Sequence, residues 1–502
     1  MPARMPRPAL RFVMPALLSL ALAGLHAAGS ERASPPPPDP IEGVWTGTIT
    51  APQGTSAELG LEFFRAKNGT LIFRLNFPEM FTYGVTFGIP VETPARNEYR
   101  ITPAFDLQLH LQVNRLNGTL GAGRLPVELH RGGVFRPQPP SPLHHLPPAP
   151  RWRHDLRAPT WAPPVVADDV VYVGTEKGEL HAVNARNGQP VWTWSGPHRL
   201  DGAVLVNADR IYLLDGSLDL VCLERTRGTL LWRTPLHDAR IAGHAVPDNP
   251  TFNHRSATPL LIDGVLYAGS SDGGLYAVKA TDGAVLWRQE AKAPIFGPVT
   301  ADGPDQLIFG TMDGSVVLFD RHTRKEIRRL RTGGGVVTAP LVAGGKLIVG
   351  SRDYEIHAFH LPDGAEAWRF SYWFSWIESS PVLRDGVMYV GASDYRRITA
   401  LDPANGHPRW STQVYGMNWG TPLVTERRVF TGTVNQNIPG TAIEHTAGLI
   451  ALDRATGEVV WQLVLPKAGT GGFAGFAGSL ALAGDLVIAA GFDGGLYAYP
   501  AD

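Results

Sequence analysis

Few of the residue patterns that perform covalent chemistry occur in this chain. There is no His-Glu-x-x-His pair or Ser-x-x-Lys motif, and the glycine-rich stretches lack phosphate-loop spacing. No residue is therefore assigned a catalytic role. His237, His244 and His254 fall in one segment, HDARIAGHAVPDNPTFNH, but spacing so irregular reads as a solvated loop, and no metal is predicted there. The single cysteine, Cys222, cannot form an internal disulfide, and its neighbours Leu220, Val221 and Leu223 mark it as a small residue on a buried strand. What the chain does offer is aromatic surface. The stretch Phe370-Ser371-Tyr372-Trp373-Phe374-Ser375-Trp376 predicts a recognition patch with Tyr372, Trp373 and Trp376 as partner-binding anchors. Trp419, Phe473 and Phe476 predict an aromatic mouth suited to peptide, sugar or flat-ring ligands.

Such residues need a framework, and composition points to its class. In 502 residues, 56 glycines and 43 prolines stand beside 44% hydrophobic residues, a balance that suits many short strands and tight turns. Lys and Arg total 45 against 46 Asp and Glu, so no polyanionic partner such as nucleic acid is expected. Arg4, Arg7 and Arg11, the apolar stretch Phe12–Leu25 and the small residues Ala27, Ala28 and Gly29 have the layout of a signal peptide over 1–28. A periplasmic or secreted protein follows, with no transmembrane segment in the mature chain. No cysteine lies near the cleavage region to carry a lipid anchor.

Two proline-rich stretches, Pro35–Pro38 and a linker over 134–150, bracket a small β domain at 41–133. Strands are expected at Val44–Ile49, Leu59–Phe64, Thr70–Phe77, Tyr99–Thr102 and Leu107–Val113, with Asn68-Gly69 and Asn117-Gly118 as hairpin turns, giving a small β-barrel or β-sandwich.

From 151 to 502 the chain repeats itself. Each unit supplies four short strands and ends on a tryptophan, at Trp192, Trp232, Trp287, Trp368, Trp410 and Trp461, while one unit has Ile327 or Arg328 instead. Counting the glycine that ends the second strand (Gly174, Gly269, Gly310, Gly350, Gly391, Gly432), with Leu214 and Ala490 in the two remaining places, gives eight units. The last is one strand short, and Arg151-Trp152-Arg153 looks like a displaced unit ending, so the N-terminal piece should close the ring. The reading is all-β: an eight-bladed β-propeller preceded by the small β domain. The tryptophans are expected to fill gaps between blades, and the Asp-Gly pairs at Asp272, Asp313 and Asp493 to make turns.

The pattern VYVGS-DG-LYALDA-TG--LW at 171–192, 266–287, 388–410 and 429–461 resembles the PQQ-type propeller repeat. Two groups share it: quinoprotein alcohol dehydrogenases, which hold pyrroloquinoline quinone and calcium on the propeller axis, and cofactor-free scaffolds such as outer-membrane assembly factors of the BamB type. The dehydrogenase resemblance implies a vicinal cysteine pair and a hard-oxygen cation site. A single Cys222 excludes the first, and the nearest candidates for the second are Glu378 and Asn418, with Trp419 beside them, while Asp201 opens another blade. The scaffold resemblance implies a non-catalytic protein that binds an envelope protein or peptide and carries no cofactor. That is the function expected, with a PQQ- and calcium-dependent dehydrogenase as the alternative.

Overall fold

The structure is a computed structural model. It describes residues 38–501 except 52, 81, 88, 103–105, 122–124, 138–145, 238–256, 374, 415, 437–446, 467–468 and 470–471. The signal-peptide segment, His244, His254, Phe374 and most of the insertion after Asn435 lie outside the described residues. No helix among the described residues is long and apolar enough to cross a membrane. The chain divides in sequence into two compact units between residues 141 and 142.

The first unit is one antiparallel sheet of nine strands, curled into a half-barrel. Its strands are β1 (Gly43–Thr50), β2 (Ser56–Arg65), β3 (Leu71–Phe77), β4 (Thr82–Phe87), β5 (Glu92–Ala95), β6 (Glu98–Ile101), β7 (Leu107–Gln112), β8 (Arg115–Leu120) and β9 (Leu125–Arg131). The order is β4-β3-β2-β1-β9-β8-β7-β6-β5, so the consecutive strands β4 and β5 form the two edges. Strict alternation in β7 buries Leu107, Leu109 and Leu111 and leaves Gln108, His110 and Gln112 to solvent, the period of a half-buried strand. One expectation needs correction. Asn117-Gly118 lies inside β8, and the hairpin turns instead at Val113-Asn114, with Val113 in the left-handed region at φ 51°. Gly118 is needed for space: a Cβ would fall 1.9 Å from the Gln108 carbonyl oxygen.

The second unit is the eight-bladed propeller. Its sheets are numbered here in chain order, with strands a to d. First strands of neighbouring blades approach one another at the centre, and fourth strands are the most exposed. Blade 1, for example, comprises Val165–Ala167, Val170–Gly174, Glu179–Asn184 and Pro190–Ser195. Blade 8 takes strands a to c from Ala481–Ala483, Leu486–Ala490 and Gly495–Pro500, and its strand d is Trp152–Asp155 from the other end of the unit. Trp152 pairs with Ala498 and Asp155 with Gly495, so the ring closes as the sequence predicts.

The repeating residues interlock. Each strand-d tryptophan pairs across the ladder with a small buried residue on strand c: Ala182 with Trp192, Ala277 with Trp287, Ala358 with Trp368, Ala400 with Trp410 and Ala451 with Trp461. Cys222 holds the same place opposite Trp232, which explains its burial; desolvation pushes its thiol up to about 11. The indoles then reach the next blade, where Trp192, Trp368 and Trp410 donate Nε1–H to the carbonyls of Arg225, Pro403 and Arg454 at 3.0 Å. They cover left-handed turn glycines (Gly228, Gly406, Gly457) at which a Cβ would lie within 2.6 Å of the ring. Blade 4 solves the missing tryptophan with Arg328, whose stem covers Gly364 and whose guanidinium donates to the Asp363 and Pro362 carbonyls. The Asp-Gly pairs do make turns: Asp272 Oδ1 accepts from Gly274 N–H at 2.7 Å, and Asp493 Oδ1 from Gly495 N–H at 3.0 Å.

Candidate functional site at the connection face

At one end of the propeller each b–c turn meets the segment that connects one blade to the next. Leu200 N–H, for instance, donates to the Thr175 carbonyl at 2.9 Å, and Ile295 N–H to Ser270 at 3.0 Å. The glycine ending strand b makes this possible. A Cβ on Gly174, Gly269, Gly310, Gly350, Gly391 or Gly432 would lie within 2.6 Å of Leu200, Ile295, Val336, Ile377, Asn418 or Phe476 respectively. One residue of each of these six connections thus plugs the space above a strand-b glycine, and five of the six plugs are apolar, as a dry packing site demands. Thr160 holds the corresponding place in the connection into blade 1, its hydroxyl donating to the Gly174 carbonyl at 2.6 Å.

The residue following each plug is the variable element. In chain order these are Trp161, Asp201, Phe296, Val337, Glu378, Trp419 and Ala477. Three of the sequence-predicted candidates, Asp201, Glu378 and Trp419, therefore share one register, whereas Asn418 is a plug.

The connections around blades 7, 8 and 1 build an aromatic corner. Trp161 stacks on Trp419 with centroids 5.7 Å apart and planes 16° from parallel, and meets Phe473 and Phe492 edge-on at 5.1 and 4.6 Å. Phe473 in turn stacks on Phe492 at 5.5 Å. Hydrogen bonds fix the two indoles: Trp161 Nε1–H donates to Glu176 Oε1 at 2.6 Å, and Trp419 Nε1–H to Ser393 Oγ at 2.7 Å. Trp419 is buried beneath the cluster, while Trp161, Phe473, Phe492 and Met417 stay partly exposed. Strand b of blade 7 (Arg428–Gln436) runs on into this corner, pairing with the short strand Phe473–Gly475. Phe476, predicted to join the mouth, is fully buried as a plug, and its place is taken by Trp161 and Phe492. Trp161 was detectable by register with Trp419; Phe492 sits in a b–c turn and carries no such signal.

The connection between blades 5 and 6 builds a charged corner. Arg352, from the blade 5 turn, donates Nε–H to Glu378 Oε1 at 2.7 Å and lies over the Trp376 ring at 4.7 Å. Both charged side chains are 8% exposed. Asp394 in the neighbouring turn is desolvated at its carboxyl, which pushes it up to about 6 against the pull of Arg396. The predicted anchors are drawn inward here. Tyr372 is fully buried between the rings of Phe370 and Tyr395, at 5.1 and 5.5 Å, so it is a packing residue and presents no ring to a partner. Trp373 is buried at a left-handed φ of 60°, and Trp376 has one face covered by Arg352.

A quinone–calcium site would draw on Glu378, Asn418 and Trp419. Glu378 is neutralised by Arg352, and Asn418 is fully buried, its Nδ2 donating to Thr431 Oγ1 and to the Gly432 carbonyl, its Oδ1 lodged against Gly391. Trp419 is stacked on Trp161. These residues do not fit a cation with a stacked cofactor. Asp201, at the same register as Glu378, is buried with Arg199 at 2.9 Å, and desolvation raises it to about 7.

Comparison with known proteins gives a consistent result. The profile of the family described as outer membrane protein assembly factor BamB matches residues 147–281, 271–372 and 352–502. The assembly factor BamB of Yersinia pestis is 27% identical over 265 residues, covering 48% of this chain and 61% of its own length. That of Escherichia coli is 25% identical over 338 residues, covering 46% and 82%. Among solved structures, quinohemoprotein alcohol dehydrogenase from Comamonas testosteroni shares the fold, with a TM-score of 0.52 and 14% identity over 70% of this chain and 76% of that one.

Proposed function

Because the chain belongs to the family described as outer membrane protein assembly factor BamB, we propose that its propeller is a non-catalytic recognition platform of the bacterial cell envelope. The partner is an envelope protein that offers an extended apolar segment to the aromatic corner. The observation carrying this is the cluster of Trp161, Trp419, Phe473 and Phe492, whose rings are fixed by stacking and hydrogen bonds yet remain partly open. Rigid aromatic anchors lose little entropy on binding, and so dominate interface energy. The short strand Phe473–Gly475 pairs on one side with strand b of blade 7; on its other edge the Gly475 carbonyl accepts from Phe492 N–H at 3.1 Å, so a peptide backbone could add only beside Phe473. Glu378 and Asn418, each engaged within the fold, support a platform that takes no quinone or calcium.

The test is photocrosslinking in envelope preparations, with a crosslinking residue at 161, 492 or, as a control, at 383, an exposed position on strand a of blade 6 that belongs to none of the connections building the corner. One envelope protein captured at 161 and 492 and not at 383 is expected, with the adduct lost on Phe473→Ser. Equal capture at all three positions, or calcium-dependent binding of pyrroloquinoline quinone with dye-linked alcohol oxidation, overturns the reading.

A further inference from the structure

We propose that blade 5 carries a divalent-cation site of the zinc class, formed by Asp353, Glu355 and His357. Strand c of this blade, Glu355–His360, places residues 355 and 357 on one face by its two-residue period, and the preceding b–c turn folds Asp353 back over them. His357 Nε2 lies 2.9 Å from Asp353 Oδ2 and 3.8 Å from Glu355 Oε2, and one ligand atom from each residue falls within 4.8 Å of the others. Zinc bonds of about 2.0–2.2 Å in tetrahedral geometry put neighbouring ligand atoms roughly 3.3 Å apart, between the two separations observed. All three side chains are largely buried, with 13%, 11% and 6% exposure.

The surroundings suit a metal. Gly333 N–H, from the connection into blade 5, donates to Asp353 Oδ2 at 2.5 Å, and Glu355 N–H donates to Asp353 Oδ1 at 3.2 Å, so the carboxylate is held in place. His357 Nδ1 is buried without a hydrogen bond, and Glu366 Oε2 lies 3.8 Å from it, close enough that a small shift on metal binding lets this carboxylate accept from Nδ1–H and orient the ligating imidazole. Glu355 and Glu366 each also meet Arg369, at 3.5 and 3.6 Å, so three carboxylates share one guanidinium and one imidazole. A dication balances that charge. Blade 1 provides an internal control. There Glu179 and His181 recur at the same positions, 3.2 Å apart, but Lys177 stands where blade 5 has Asp353, so the set is incomplete.

The experiment is calorimetric titration of the chelator-treated full chain with zinc chloride, paired with visible d–d absorption after cobalt substitution. One saturable site is expected, weakened at least tenfold by His357→Gln and by Asp353→Asn and unchanged by His181→Gln. Other histidines bind zinc adventitiously, so the variants decide. If zinc affinity and the cobalt spectrum are the same in wild type, His357→Gln and Asp353→Asn, or if no saturable zinc binding occurs, the site does not exist. Far-ultraviolet dichroism of each variant separates loss of the site from loss of the fold, and Asp353→Asn, confined to a turn, serves if His357→Gln unfolds.

Discussion

The aromatic corner around Trp161 and Trp419 and the charged corner around Arg352 and Glu378 are built on one framework. In both, a glycine ends strand b, a plug from the next connection covers it, and the residue after the plug sets the local chemistry. In the charged corner that residue is Glu378, and its charge is consumed by Arg352. In the aromatic corner it is Trp419 and, from a different connection, Trp161, whose rings stack on each other. The first corner is closed by its own ion pair, whereas the second leaves several of its rings partly exposed. The difference teaches that the repeat dictates the plug and its glycine, while the local chemistry is set one residue later.

The comparison can be broken most forcefully at the charged corner. Removing one member of a buried ion pair strands the other, and Arg352→Met is expected to cost about 3–5 kcal/mol, read as a lower urea midpoint. A loss under about 1 kcal/mol would mean that Glu378 is solvated and free to meet a ligand. The shared framework is tested next. In Gly432→Val the new Cβ would sit 2.6 Å from the backbone oxygen of Phe476, which cannot swing aside, so a loss of about 3 kcal/mol is expected. Gly303→Ala, at a left-handed turn with open space around it, should cost only about 1 kcal/mol.

Asn418 sharpens the comparison, since it is the one amide among six plugs that otherwise carry Leu, Ile, Val or Phe. Its Oδ1 is buried without a partner, while its Nδ2 makes two hydrogen bonds. Those contributions oppose each other, so Asn418→Leu should change stability by no more than about 1 kcal/mol. A loss well above that would show that the amide positions Trp419 or the strand beneath it.

How far all this could be read from sequence follows from what repeats. The strand-b glycines and strand-d tryptophans recur because each is fixed by contact with a neighbouring blade, and Trp152 betrayed the ring closure because it obeys the same rule. Asn117-Gly118 misled because glycine there answers a close backbone approach within β8 and makes no turn. In the site, Trp419 and Phe473 were visible as aromatics at the ends of blades. Arg352 and Phe492 were not, since both sit in b–c turns whose side chains the repeat leaves unconstrained. The stretch from Phe370 to Trp376 looked like surface because dense aromatics resemble a binding patch. The rings of Tyr372 and Trp376 are instead covered by Tyr395 of the blade 6 turn and by Arg352, contacts between segments that no local pattern encodes.

A pH-dependent effect concerns Asp394, which borders the charged corner. Burial raises its carboxyl from an ordinary 3.8 to about 6, with Arg396 opposing the shift and Glu378 adding to it. Between about pH 4 and 6 the folded protein therefore holds more protons than the unfolded chain, and this residue's contribution to stability falls as pH rises through that window, then levels off. Asn imitates the neutral acid at every pH. Asp394→Asn should thus gain stability relative to wild type from pH 4 to 6 and keep a constant advantage above it, as measured by urea unfolding at each pH. If the two stability curves stay parallel across the window, Asp394 is solvated, and the charged corner is open at the side where the geometry has it sealed.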